Sequence, residues 1–203
     1  ISSNTSKFTG GAIYLKSSTK DDKTVFTMNG GELSDNVGGS VAGVINVMGS
    51  HPVEVNLLGG AVVNNSMSTT GANIACISAT NDGSTVVLGG VKFAGNTNKN
   101  GETINALTLS THNVTLIPTE DTDFQDPIYI NNAYGSSKDV AIRVPEGLTK
   151  LKGKLPILLA KEFVGAATIS GGTGEGAYAL QPSDMEKVHV VNGIDGAYYL
   201  EVN

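Results

Sequence analysis

The chain has 203 residues, a formal net charge of −6, 26 glycines, no tryptophan and one cysteine. Binding of phosphate groups needs clustered Lys and Arg, so this acidic balance argues against nucleic acid as a partner. No apolar run approaches the ~18 residues of a membrane-spanning helix, and a lone cysteine excludes a disulfide framework.

A short motif, an apolar residue Φ followed three places later by asparagine, recurs about every 30 residues along the first half of the chain. Apolar residues recur at fixed distances on both sides of this motif, with Asn105 as the one exception. The motif copies are ISSN (1–4), LSDN (33–36), VVNN (62–65) and FAGN (93–96). The recurring apolar positions are Phe26/Met28, Val55/Leu57, Val86/Leu88, the series Ile13, Ile45, Ile74, and the series Leu15, Val47, Cys76, Leu107.

Within each repeat the apolar positions lie two residues apart, which is the period of a strand with one buried face. Each repeat thus predicts about three short strands, and strands this short bury a face only when equivalent strands stack about 4.8 Å apart. The sequence therefore predicts an all-β fold, a parallel β-helix (solenoid). We expect it to be right-handed, as parallel crossover connections generally are.

Two positions hold the same residue type in successive repeats, which indicates structural roles at the corners of the coil. A stacked asparagine amide can bond to the next amide along the axis, and asparagine tolerates left-handed backbone angles. We therefore predict an asparagine ladder along one corner. At another corner, three glycines are expected to supply positive φ angles. The ladder residues are Asn4, Asn36, Asn65 and Asn96, and the glycines are Gly30, Gly59 and Gly90.

Several of these segments resemble repeats of known surface proteins. FAGN (93–96) and GGAI (10–13) resemble the paired FxxN and GGA[ILV] motifs of polymorphic outer-membrane protein repeats. FTMNGGELSDN (26–36) is similar to repeats in large cell-surface β-helix proteins of gut bacteria. The resemblance covers roughly residues 1–116 and implies an exported, adhesin-like protein at the bacterial cell surface. Because the first residues already occupy repeat positions, we expect the chain to begin inside a longer repeat array.

The repeat is lost after residue 116, where the expected motif position reads EDTDF (120–124). Short strand-like runs follow, and the end of a solenoid exposes open backbone edges that need a cover. We therefore predict coils over residues 1–116 and an irregular C-terminal β cap over residues 117–203, continuous with the last coil. The alternative is a separate small β-domain.

Loops that join the same two strands in successive coils should stack on one side of the solenoid and form a candidate ligand face. A glycan or a host surface protein is the partner that we expect there. Polysaccharide-cleaving enzymes use paired acids, so the alternative function is a carbohydrate-active enzyme, a polysaccharide lyase or glycoside hydrolase. No Lys or Arg completes a lyase-like site, however. The loop residues are Asp21, Asp22, His51, Asn81 and Asp82, and the three aspartates are the acids of the enzyme alternative.

No other residue pattern predicts chemistry. Cys76 lies in an apolar series and is expected to be an unreactive buried thiol. The histidines lack metal-ligand spacing, and the acidic run 120–126 lacks the spacing of an EF-hand. We therefore predict no catalytic residue, metal or cofactor, and a monomer with a structural or adhesive role outside the cell. A purely inert stalk is a third possibility.

Overall fold

The computed structural model describes residues 1–19, 24–39, 42–71, 74–79, 81, 83–110 and 114–131, followed by residue 152 and six strands. Parallel strands stack as an all-β solenoid of about 3 turns, which confirms the predicted fold class. Among the described residues no helix has the length and hydropathy to cross a bilayer. The strands are β1 (Ile13–Ser17), β2 (Thr24–Met28), β3 (Glu32–Ser34), β4 (Val37–Gly38), β5 (Ala42–Gly49), β6 (Val53–Val63), β7 (Ser66–Met67), β8 (Ala75–Ala79), β9 (Thr85–Ala94), β10 (Asn105–Ser110), β11 (Thr115–Pro118), β12 (Ile128–Asn131), β13 (Ala141–Val144), β14 (Ile157–Leu159), β15 (Thr168–Gly171), β16 (Tyr178–Ala179), β17 (Val188–Asn192) and β18 (Tyr198–Val202).

The coils pass through two main sheets, and two of the coils also contribute to a short sheet. The first sheet has the order β1-β5-β8-β10-β12-β14, and the second has the order β2-β6-β9-β11-β13-β15-β16. The long strand β6 pairs with β2 through its first half and with β3 through its second half. The short sheet consists of β4 and β7. Consecutive strands of one coil thus belong to different sheets, and the solenoid core lies between the inward faces of these sheets.

The interior of the second sheet follows the predicted series of apolar positions. Each series forms a file, in which equivalent side chains of successive coils lie over one another. Alternation along β2, β6, β9 and β11 turns one set of apolar residues inward, and equivalent residues are directly paired in the parallel register. All are buried except the half-buried Phe26. The paired files are Phe26–Val55–Val86–Leu116, Met28–Leu57–Leu88 and, for the motif residue Φ, Leu33–Val62–Phe93.

The predicted file through the first sheet is wrong after its second member. Ile13 pairs with Ile45 as predicted, but Ile45 then pairs with Ile77 rather than with Ile74. Leu107 continues this file by pairing with Ile77. The count from each motif to this sheet crosses a corner whose length varies, so a fixed spacing fails there. Ile74 is nevertheless buried, because it packs in the same core.

The neighbouring file differs from the prediction for the same reason. Leu15 pairs with Val47, and Val47 pairs with Ala79, so Cys76 and Leu107 do not belong to this file. Strand β5 also carries an irregularity between Ala42 and Ile45, which shifts the register by one residue against β8. A bulge of this kind places an extra residue in one strand, and nothing in the local sequence pattern marked it.

The predicted role of the three corner glycines is also wrong, because Gly30, Gly59 and Gly90 do not have positive φ angles. Positive φ lies one residue later, at Gly31 (81°) and Gly60 (100°). Gly60 is doubly constrained, since a Cβ there would lie 2.5 Å from the Gly31 carbonyl oxygen. Gly59 is needed for close approach instead, because its Cβ would lie 2.7 Å from the carbonyl oxygen of Asn29.

The apolar file of the motif continues beyond residue 116, in the region where the repeat was expected to end. The Phe124 ring packs edge-on against Phe93, with ring centroids 5.0 Å apart, and it is fully buried. Phe124 is therefore the motif residue Φ of a further coil. The next strand, β12, begins soon after it and pairs with β10. This coil takes a short route that omits the asparagine corner.

Both main sheets extend past residue 116 as parallel strands, because β12 and β14 continue the first sheet and β13 and β15 continue the second. Antiparallel pairing begins only between β15 and β16 and recurs between β17 and β18. The division of the chain into coils and a cap at this residue stays a prediction, and so does the handedness of the coil.

Candidate functional site

The best-defined polar feature of the molecule is the asparagine ladder, which runs through the four predicted residues. The backbone N–H and the side-chain amide of Asn4 both donate to Oδ1 of Asn36, at 3.1 and 3.0 Å. Asn36 donates in the same way to Asn65, at 2.9 and 3.0 Å. Asn65 donates to Asn96, at 3.1 and 2.9 Å. One geometry is thus repeated at three successive steps.

The three later ladder residues are completely buried, so their amides need further partners. These partners are carbonyl oxygens of the motif residue Φ in the preceding coil. The side-chain amide nitrogens donate from Asn36 to the Ile1 oxygen, from Asn65 to the Leu33 oxygen and from Asn96 to the Val62 oxygen, at 3.2, 2.9 and 2.8 Å. Asn36 and Asn65 therefore each link three coils, and Asn96 links two.

The residue immediately before each ladder asparagine has a left-handed backbone. The φ angles are 58° at Ser3, 55° at Asp35, 55° at Asn64 and 65° at Gly95. Such angles are disfavoured for most residues and tolerated by Asn, Asp and Gly. The left-handed position predicted for this corner therefore belongs to the neighbour of the ladder residue. A signal was present in the sequence, since Asp35, Asn64 and Gly95 are all residue types that accept this conformation.

The ladder ends at Asn96, where the chain folds back on itself. Thr97 forms an antiparallel bridge with Thr103, and the N–H of Ile104 donates to the Asn96 carbonyl oxygen at 3.1 Å. Asn98 closes the intervening loop, because its amide donates to the Glu102 carboxylate at 2.7 Å and its Oδ1 accepts from the Asn100 N–H at 2.9 Å. The repeat pattern did not predict this closure of the ladder.

The candidate ligand face is described only in part. Asp21, Asp22 and Asp82 lie outside the described residues. His51 and Asn81 lie together, because the Asn81 amide donates to the His51 carbonyl oxygen at 3.0 Å. Asn81 is 2% exposed, so its side chain ties one loop to the next rather than facing a ligand.

The stacking of these loops is supported by a second bond across the same corner. The N–H of Val53 donates to the Ser84 hydroxyl at 3.0 Å, and the Ser84 carbonyl accepts from the N–H of Thr115 at 2.8 Å. Consecutive loops therefore lie over one another on this side of the solenoid. His51, which is half-buried, is the one described residue of the predicted face whose side chain reaches solvent.

A partly buried carboxyl group lies in the short connection that follows Phe124. Burial raises the pKa of Asp126 to about 6, and its Oδ2 is buried without a hydrogen-bond partner. Burial also raises the pKa of the fully buried Cys76 thiol, with a further contribution from the Asp126 carboxylate. Cys76 therefore stays protonated and shielded, as predicted, although it does not belong to the apolar series from which its burial was predicted.

Replacing Asp126 with Asn is expected to stabilise the protein at pH 7, because the native carboxylate is ionised there without a partner for one oxygen. The folded pKa is raised, so the contribution of Asp126 to the free energy of unfolding falls as the pH rises from about 4 to 6. Allowing for solvent screening of this partly exposed group, the gain is on the order of 1 kcal/mol.

Urea titrations of both proteins at pH 3.5 and pH 7 measure this effect. The difference between them should appear at pH 7 and become small at pH 3.5, where the carboxyl group is mostly protonated in both the folded and the unfolded state. An Asp126→Asn protein no more stable than the wild type at pH 7 would contradict this assignment.

Within the part of the chain that the structure describes, no group of three or more His, Cys, Asp and Glu side chains could hold a metal ion. Comparisons with protein-family models, curated proteins and solved structures gave no match.

Proposed function

We propose that this chain is a non-catalytic structural segment of an exported bacterial surface protein, which displays loops for weak binding of a glycan or a host surface protein. The observation that carries the proposal is a regular core combined with corners of unequal length. The connection from the first sheet to the second spans residues 18–23 between β1 and β2, 50–52 between β5 and β6 and 80–84 between β8 and β9. The flanking strands stay paired in spite of these differences.

The physical basis is that the residues that stabilise the coil are different from the loop residues that face solvent. The ladder and the interior apolar files provide the hydrogen bonds and buried surface that stabilise the coils. Loop residues between the strands can then vary without disturbing the core. The hydrogen bonds from Asn81 to the His51 carbonyl oxygen and from Val53 to the Ser84 hydroxyl hold successive loops together at this corner, which supports a ligand surface built from more than one coil.

A triple substitution of Asp21, Asp22 and Asp82 with Asn tests this function. We expect thermal stability to remain within about 0.5 kcal/mol of the wild type, because loop substitutions away from the core have small effects. Binding on glycan and matrix-protein arrays is expected to weaken. The matched control is Glu32→Gln, which removes an exposed acid from the outer face of β3.

A polysaccharide degradation assay separates the two alternative functions. If the wild type degrades a polysaccharide and the triple substitution abolishes this activity, the protein is a carbohydrate-active enzyme. That result would contradict the structural role. Arrays without any binder would favour an inert stalk instead. Binding that Glu32→Gln weakens as much as the triple substitution would place the ligand away from the loop face.

A further inference from the structure

The outer face of the first sheet is buried, although it points away from the solenoid core. Along β8 the side chains alternate, so that Ile77 points into the core and Ser78 points outward. Ser78 pairs with Asn46 of β5 on one side and with Thr108 of β10 on the other. These three outward polar residues are only 1, 4 and 3% exposed. A further part of the protein therefore covers this face.

The covered area has a definite extent. Cys76 and Ala106 lie two residues before Ser78 and Thr108 on the same outward side, and both are completely buried. Met48, two residues after Asn46 on the same side of β5, is 47% exposed. The cover therefore lies over two neighbouring files of β8 and β10 and ends before Met48.

A hairpin that lies outside the coil is available as the cover. The strands β17 and β18 form an antiparallel two-stranded sheet of their own, and β17 lies against β14, the strand at the end of the first sheet. An isolated two-stranded hairpin is at best marginally stable in water and needs a surface to pack against. The nearest sheet to this hairpin is the one whose outer face is buried.

The pairing of the hairpin gives it two unlike faces, because directly opposite residues of an antiparallel pair lie on the same face. The first face combines the pairs Val188–Val202 and Val190–Leu200 and ends with the pair Asn192–Tyr198. The second face combines the pairs His189–Glu201 and Val191–Tyr199. Four aliphatic positions thus share the first face, which suits it to a dry contact, whereas the second face carries the ionisable pair.

The dimensions of the hairpin match the covered area. Each of its strands has five residues, which corresponds to a length of about 17 Å. The distance from β14 to β8 is three strand spacings, or about 14 Å. Across the strands, Cys76 and Ser78 lie roughly 7 Å apart, and the two hairpin strands lie about 4.8 Å apart. A hairpin that runs along the solenoid axis from β14 therefore reaches both buried files.

We propose that the β17–β18 hairpin docks through its aliphatic face on the outer face of the first sheet. The docking surface consists of Cys76 and Ser78 of β8 and Ala106 and Thr108 of β10, with Asn46 of β5 at its far edge. The hairpin is thus a strap along the side of the coil, and it shields the Cys76 thiol from solvent. This surface is distinct from the loop face of the proposed function.

Alkylation of Cys76 by iodoacetamide under native conditions tests the docking, because Cys76 is the only cysteine of the chain. Val190→Asp places a carboxylate on the aliphatic face of the hairpin. Val191→Asp is the matched control, since it makes the same change one residue later on the opposite face. Intact-mass measurements should show slow alkylation of the wild type and the control, and alkylation about tenfold faster or more in Val190→Asp.

Thr108→Lys tests the same contact from the solenoid side. It places a cation within the covered area, and Met48→Lys is the control outside that area. Chymotrypsin cleaves after tyrosine, and Tyr198 and Tyr199 both lie in β18. We expect cleavage at these two residues to be about fivefold faster or more in Thr108→Lys, because the hairpin is released from its surface. Met48→Lys should be cleaved at the wild-type rate.

Circular dichroism of each protein establishes whether the solenoid remains folded. The proposal is overturned if Cys76 of the wild type reacts as fast as a free thiol, or if Val190→Asp and Val191→Asp react at the same rate. Faster alkylation in Val191→Asp alone also overturns it, since the opposite face would then be the docked one. If Val190→Asp unfolds the solenoid, Thr108→Lys decides, and cleavage at the wild-type rate overturns the proposal.

Discussion

Replacing Ile45 with Asp is expected to unfold the solenoid cooperatively. Ile45 is completely buried between Ile13 and Ile77 in the file of the first sheet, where a carboxylate would find no partner. An unpaired buried charge costs several kcal/mol, against a typical total stability of about 5–15 kcal/mol. Thermal melts followed by circular dichroism measure the loss. Val55→Asp in the second sheet should have the same effect, because Val55 is equally buried.

Met48→Asp provides a matched control in the same strand. Met48 is 47% exposed and pairs with Lys16 of β1, so an aspartate there remains in water beside a cation. We expect its melting curve to lie close to that of the wild type. If Met48→Asp unfolded the protein and Ile45→Asp did not, the inward and outward faces of β5 would be reversed.

Replacing Asn65 with Ala is expected to break the ladder at its centre. The Asn65 Oδ1 accepts two hydrogen bonds from Asn36, and its amide donates to the Asn96 Oδ1 and to the Leu33 carbonyl oxygen. Buried polar groups that lose a partner cost about 1–3 kcal/mol each, so a total loss of about 3–5 kcal/mol is expected. Chemical denaturation measures this loss, and Asn100→Ala, which truncates an exposed turn residue, is the control.

Asn65→Asp separates the role of the amide from that of side-chain volume. The aspartate can still accept from Asn36, but only its protonated form can donate to the oxygen of Leu33 or Asn96. We therefore expect this protein to be strongly destabilised at pH 7 and to recover part of the loss as the pH falls, whereas Asn65→Ala shows no such recovery. Equal stability of Asn65→Asp and the wild type at pH 7 would contradict the ladder geometry.

The repeat predicted the parts of the fold in which spacing within a strand decides the structure. Phe26, Val55 and Val86 are found in one file because the chain between the motif and this sheet has a constant length. The ladder was predictable for a similar reason, since asparagine at a repeated corner has few other ways to satisfy its amide when buried.

Predictions failed where the chain crosses a corner of variable length. Ile77, rather than Ile74, continues the first file because the connection between β7 and β8 is longer than the one between β4 and β5. Both residues are apolar, so composition alone could not distinguish them. The position of Asp126 in a partly buried setting was also invisible, because it depends on a connection that departs from the repeat.

Ligand-face residues could be predicted only as a group. Loop position follows from the strands on either side, which is why His51 and Asn81 were expected on one corner, where their hydrogen bond joins them. Whether a loop side chain faces solvent or bonds to its neighbour depends on local turns that repeat spacing does not encode. Asn81 shows this, because its side-chain amide donates to the His51 carbonyl oxygen in the loop one coil earlier.

The short connection after Phe124 limits where the asparagine ladder can be extended. Residues 125–127, which lead into β12, are Gln, Asp and Pro, so no asparagine continues the amide file there. Internal gene duplication of a unit of about 30 residues would lengthen the file when it falls before Asn96. The same duplication after Phe124 would add strands to a part of the stack in which parallel strands pair without any asparagine ladder. The ladder therefore accepts an additional step before Asn96 but not after Phe124.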